Sequence, residues 1–220
     1  MIQGIFFDPS GIFYKHEEPP HRYTLRLLKD QGYATEISAE DEARLENFKE
    51  RAADGIITAN DYWDEFLKLR GVADGGERTE LVDRILEQVN RVYKLPGAHE
   101  TMRTLKKRGF ILGIITSTMY PIEWKMAWLK VAGVAEYIDV VASSAELGSR
   151  KPHPSIYWTA LNKAHLTAHQ TAYVANGTKE LAGARRVGMV TVAVLHDPDA
   201  KADYYAKTLP DLLTVPIFQR

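Results

Sequence analysis

Two hydrophobic rhythms divide the chain. Residues 2–7 (IQGIFF) close in an apolar run that predicts a buried strand, and a Pro-containing loop (HEEPPH) follows. From about Arg22 to Val92 the apolar positions recur at helical spacing. Leu25, Leu27 and Leu28 lie on one turn before a Gly32 stop. Tyr62, Phe66 and Leu69 form one stripe, and Leu81, Val82, Ile85, Leu86 and Val89 form another. Ser38 with Asp41, and Thr58 with Asp61, have the spacing at which a hydroxyl caps a helix N-terminus. No strand pattern interrupts this stretch, which reads as an all-helical insertion of about 75 residues.

After LPG at 95–97 the rhythm changes. A helix over His99–Arg108 stops at Gly109, and FILGIIT is a continuous apolar strand. Pro121 opens a helix that runs to Gly133, IDVVAS is a strand, and Pro154 opens a third helix. TAYVA is a strand, Lys179–Val187 a helix and VTVAVL a strand. Short helices alternating with fully apolar strands imply βαβ units and a parallel sheet covered on both faces. The expected fold is therefore α/β, a doubly wound parallel sheet built from residues 1–14 and 94–220, with a helical cap domain over 15–93 inserted after the first strand.

Each strand of such a sheet ends in a polar residue, and ligands of open α/β sheets bind beyond those ends. Asp8 follows the first strand. Thr116 and Ser117 end FILGIITS, Lys151 follows IDVVAS through SAELGSRKP, and Asn176 ends TAYVAN with Glu180 four residues on. A carboxylate can attack an electrophile and form a covalent ester or acyl phosphate. Thr116 and Lys151 can hold an anionic group and offset charge that builds in the transition state. The last cluster can help hold a cation or position water. Each residue also has a plainer reading: Asp8 as a turn cap, Thr116 as a strand-terminal residue, Lys151 as a loop lysine, Asn176 before Gly177 as a turn signal, and Glu180 as a helix-dipole partner.

The composition leaves those possibilities standing and removes others. The chain has 220 residues, is 45% hydrophobic and 26% charged, and carries a formal net charge of −1, so no basic face for nucleic acid is expected. No apolar stretch approaches the roughly 20 residues of a membrane span, and no export signal is visible. With no cysteine there is no disulfide, thiolate nucleophile or zinc–sulfur site, and a cytoplasmic setting is expected. His153 and His196 read as loop groups without a role. Tyr62, Trp63 and Phe66 read as helical core, and Trp124 and Trp128 as packing or an interface patch.

Several strings taken together resemble the haloacid dehalogenase superfamily, whose members are mostly Mg²⁺-dependent phosphatases. LPGAHETMRTLKKRGFILGIITST is similar to the approach to the family's second motif, GSRKPHPSIY to its third, and VANGTKELAGARRVGM to its fourth. The insertion after the first strand resembles the small helical cap of the subclass that includes phosphoglycolate phosphatase and the 2-haloacid dehalogenases. The resemblance implies a nucleophile at Asp8, phosphate-binding roles at Thr116, Ser117 and Lys151, and a Mg²⁺ site at Asp8, Asn176 and Glu180. Tyr157 resembles a tyrosine of the dehalogenases, although phosphatases also carry aromatics there.

The departures from the family pattern bear on chemistry. The second Asp of the family's first motif, its general acid and base, is Ser10 here, and the Thr two further on is Ile12. The metal-binding Asp of the fourth motif is Asn176. Loss of a positioned proton-transfer group costs about 10²–10⁴ in rate. An amide brings no charge to Mg²⁺, which relies on one or two carboxylates plus substrate phosphate, so a weakened site is expected. The expected activity is phosphatase-type hydrolysis of a small phosphorylated metabolite through Asp8. The alternatives are a catalytically silent ligand- or partner-binding protein and a metal-independent haloacid dehalogenase-type hydrolase.

Overall fold

Strand β1, Gly4–Phe7, lies at the centre of the sheet because all four of its residues are buried and each face of it finds an apolar partner layer. The computed structural model describes residues 1–219. Downstream, β4 (Ile111–Thr116), β5 (Val140–Ser143), β6 (Thr171–Ala175), β7 (Val190–Val194) and β8 (Tyr204–Ala206) join it in the order β5-β4-β1-β6-β7-β8. All five pairings are parallel. Side chains alternate across the pleat. Ile5, Phe7, Leu112, Ile114, Ala172 and Val174 therefore enter one core, while Phe6, Ile115, Tyr173 and Ala175 enter the other. Gly113 lets β4 pass Phe6, since a Cβ there would lie 2.4 Å from the Phe6 ring.

Helices cover both faces, as the continuous apolar strands require. Helix α5 (Ala98–Lys107) and α6 (Ile122–Val131) contribute Met102, Leu105, Trp128 and Leu129 to the first core. Helix α8 (Pro154–Ala164) and α9 (Thr178–Arg186) contribute Ile156, Tyr157, Leu181 and Ala184 to the second. One further helical turn, α7 (Ser144–Leu147), follows β5 directly.

The expected helical insertion is four helices: α1 (Pro20–Asp30), α2 (Ala39–Ala53), α3 (Ala59–Lys68) and α4 (Gly76–Val89). Thr58 and Asp61 form a reciprocal capping box on α3, and the Ser38 hydroxyl accepts from the Asp41 N–H on α2. Pro20 belongs to α1 rather than to the preceding loop, at a first-turn position where its missing N–H costs nothing. The sequence pattern did not show that the block is bounded by an antiparallel ribbon, β2 (Tyr14–His16) with β3 (Val92–Lys94), or that β8 extends the sheet. Strands of three residues are too short to show an alternation. The end of α2 meets α7: the Ser144 hydroxyl donates to the Ala53 carbonyl, and Arg150 pairs with Glu50 and Asp54.

Candidate active site

The register of the sheet places the candidate groups around Asp8. Phe7 pairs with Ile114 on one side and Val174 on the other, so Asp8 lies one step beyond the paired residues. Thr116 and Asn176 stand two residues beyond those partners and straddle it. The Asp8 N–H donates to the Val174 carbonyl at 3.0 Å, which fixes where the side chain starts. The chain then turns sharply through Gly11 at φ +74°, where a Cβ would lie 2.8 Å from the Asn176 amide nitrogen. Glycine is the residue that accepts this backbone and leaves that space.

Lys151 reaches Asp8 from the loop between α7 and α8. Its ammonium lies 2.8 Å from Asp8 Oδ2, with the lysine side chain 3% exposed and the aspartate side chain 17% exposed. It also donates to the Tyr173 hydroxyl at 3.1 Å, and its backbone N–H donates to Ser117 Oγ at 3.0 Å. The lysine is thus held from β6 by an aromatic hydroxyl and from the end of β4 by a serine. Tyr157 meets the Tyr173 ring edge-on and donates to the Glu180 carbonyl at 2.8 Å. Burial, reinforced by the Asp8 charge, pushes the Tyr173 hydroxyl well above the usual phenol range, so it stays protonated. Removing one partner of a buried ion pair costs about 3–5 kcal/mol, because the remaining charge is stranded.

The other expected residues are distributed less tightly. Thr116 closes β4 and is buried. Ser10 is exposed and its backbone bridges Tyr14. Glu180 turns back over the α9 N-terminus: a Cβ on Gly177 would lie 2.2 Å from its Oε2. Among the described residues no three His, Cys, Asp or Glu side chains gather as a metal-binding group. The oxygen donors suit Mg²⁺ in kind, namely the Asp8 carboxylate, the Asn176 amide and Glu180, but they bring little charge. His153 caps α8, accepting from the Ser155 N–H, and Trp128 packs in the core with its indole N–H donating to Asn90.

Sequence reasoning passed over Lys125. It is buried on α6, with its ammonium 3.3 Å from the Tyr14 hydroxyl and 4.7 Å from the centre of the Trp128 ring. Burial lowers its pKa to about 8, opposed by the Asp8 charge and aided by Lys151. A signal was present: Lys125 stands three and four residues before the core residues Trp128 and Leu129, on the apolar face of its helix. Burial also lowers the pKa of His16, which meets the Trp128 ring edge-on.

Known proteins are similar to this chain along nearly its whole length. A glyceraldehyde 3-phosphate phosphatase of Methanocaldococcus jannaschii is 30% identical over 227 residues, spanning 98% of this chain and 97% of the relative. A HAD phosphatase from Thermococcus onnurineus superimposes with a TM-score of 0.65 at 25% identity, covering 97% of each chain. A 2-haloacid dehalogenase from Pseudomonas syringae pv. Tomato superimposes with a TM-score of 0.70 at 22% identity, again over 97% of each chain, a likeness of fold alone. Among the described residues no helix is long and apolar enough to cross a membrane. Residues 5–194 match the model of the haloacid dehalogenase-like hydrolases, and the chain belongs to that family.

Proposed function

We propose that this protein is a phosphatase of small phosphorylated metabolites, working in the cytoplasm through an aspartyl-phosphate at Asp8. The observation that carries this reading is the buried Asp8–Lys151 pair at 2.8 Å, at the centre of the sheet's C-terminal edge. The full-length similarity to a glyceraldehyde 3-phosphate phosphatase supports the same reaction class. Lys151 holds Oδ2, which leaves Oδ1 as the attacking oxygen. Attack forms the Oδ1–P bond as the ester P–O bond breaks, and the leaving oxygen takes a proton from water. A second water then attacks phosphorus, releases inorganic phosphate, gives up its proton to solvent and restores the carboxylate. Thr116, Ser117 and Lys151 orient the phosphoryl group and offset its charge.

Phosphatases of this family generally use Mg²⁺. Asp8, Asn176 and Glu180 would hold the ion here, with low affinity because only Asp8 brings a carboxylate from a strand end. When bound, the ion supplies positive charge to the phosphoryl oxygens. Ser10 cannot serve as general acid, since its hydroxyl is not appreciably acidic at neutral pH, and turnover is slow for that reason. Residues 15–93 act as the cap that selects the substrate, over a core of 1–14 and 94–220.

Purified protein with Mg²⁺ and a panel of sugar, triose and nucleotide phosphates tests the reading. Turnover that disappears in Asp8→Asn is expected. Activity equal to that control on every ester would remove the proposal. A second reading, hydrolysis at carbon, is favoured by the non-acidic Ser10 and Asn176. It requires chloride release from 2-chloropropionate that a chelator leaves unchanged.

A further inference from the structure

Lys125 is buried beside the turn that carries Asp8 and has no part in the hydrolysis just described. Lys125 is 7% exposed, and among the described residues the hydrogen bond its ammonium makes is the one it donates to Tyr14. An ammonium carries three donors, so two remain. Tyr14 belongs to the same turn as Asp8: its carbonyl accepts from the Gly11 N–H at 2.9 Å, and its backbone bridges Ser10. Trp128 lies against the ammonium and meets Tyr14, His16 and Tyr120 edge-on. The charges that act on Lys125 are Asp8 and Lys151, while His16, its pKa lowered by burial, packs on the same tryptophan.

The charge count is what makes this placement informative. Asp8 is already paired with Lys151, and among the described residues no carboxylate forms an ion pair with Lys125. Burying an unpaired ammonium costs several kcal/mol in real proteins, a cost that an arriving anion would offset. A phosphate monoester brings that charge. The two positions where the family pattern has further carboxylates are Ser10 and Asn176, so no acid competes for Lys125 at those points.

We infer that Lys125 is a second anion-binding catalytic lysine, whose ammonium, anchored by the Tyr14 hydroxyl, takes a non-bridging oxygen of the phosphoryl group bound against Asp8 and Lys151. This deepens the phosphatase reading and rests on it. Positive charge that a weakly held metal ion would supply comes instead from a fixed side chain. The site is thereby selective for dianionic oxyanions over neutral or singly charged groups.

Inorganic phosphate is the probe, titrated by calorimetry into the wild type, Lys125→Met, Lys125→Arg and Asp8→Asn, alongside p-nitrophenyl phosphate kinetics. Lys125→Met should weaken phosphate binding at least about tenfold and lower kcat by about 10²–10³, the usual cost of losing one preorganised charge donor. Lys125→Arg should keep phosphate affinity within about threefold, because the charge is kept. Phosphate bound by a folded Lys125→Met as tightly as by the wild type would overturn the inference. Should that variant not fold, ¹⁵N-lysine NMR of the wild type decides. A Lys125 ammonium signal that moves on adding phosphate supports the inference, and one that stays put while Lys151 moves overturns it. An absence of ester hydrolysis by the wild type removes the phosphatase reading, yet the phosphate affinities still judge Lys125. Loss of activity in Asp8→Asn with an unchanged Lys125→Met has the opposite meaning: the phosphatase reading survives and the inference fails.

Discussion

The two sides of Asp8 are built alike and equipped differently. On each, a strand of the sheet ends in a polar residue and the chain passes into a helix. On the β4 side Thr116 and Lys151 are buried, Ser117 fixes the Lys151 backbone, and Lys125 donates to Tyr14. On the β6 side Asn176 and Glu180 are half-buried, with the carboxylate lying over Gly177. One flank carries two buried ammonium groups, while the other carries an amide and one carboxylate set back in a helix. The difference teaches that the apolar alternation holding the strands together does not constrain the charge at their tips. The fold can persist while the residues at the strand tips change.

The strongest way to break this contrast is on the engaged flank. Lys151→Met should lower kcat by about 10²–10³, since it strips one donor from the transition state and strands Asp8. A smaller loss than from Asn176→Ala would reverse the ranking of the two sides. The depleted flank is tested by gain: Ser10→Asp with Asn176→Asp should raise kcat/KM by about 10–100-fold at saturating Mg²⁺. The half-saturating Mg²⁺ concentration should fall in the same variant, as read by a metal titration. An unchanged rate would mean that proton transfer and metal charge are not what limits this site.

A third, smaller effect concerns pH. Lys125 titrates near 8 in the fold against 10.5 in an unfolded chain. Between those values the unfolded state binds more protons, so this group's contribution to stability rises with pH. Its penalty is full below about pH 8 and gone above about pH 10.5. The melting temperature of the wild type should gain a few degrees on Lys125→Met between pH 7 and pH 9.5. Asp8, Lys151, Tyr14, His16 and Tyr120 face the same space and remain in both proteins. A difference that stays flat with pH would place the ammonium in water. The smallest effect belongs to neither flank: Thr58→Ala should cost about 1 kcal/mol through the lost α3 cap, with kcat unchanged.

Much of this architecture was legible because it rests on periodicity. The run Ile5–Phe7, the strand ending at Thr116 and the stripes through Tyr62–Phe66 and Leu81–Val89 announce buried strands and helices, and they are found there. The capping pairs Ser38–Asp41 and Thr58–Asp61 were equally readable, because a cap is a local chemical bond. The β2–β3 ribbon, α7 and β8 were not, since three or four residues carry no period and their partners lie far along the chain. The Asp8–Lys151 contact was expected through motif order, not through any local signal. Lys125 escaped notice because a lysine in a helix is ordinarily solvated, and only its position on the Trp128 face set it apart.

Arg150 is joined by one peptide bond to Lys151, and its guanidinium reaches Glu50 and Asp54 at the end of α2. The backbone that presents Lys151 to Asp8 is thereby tied to the end of α2. Its side chain is 32% exposed, so each of these pairs is worth no more than about 1 kcal/mol and weakens with salt. Any tilting of α2 away from the sheet pulls first on the residue beside Lys151. Raising the ionic strength should accordingly loosen the tie between α2 and the Lys151 loop.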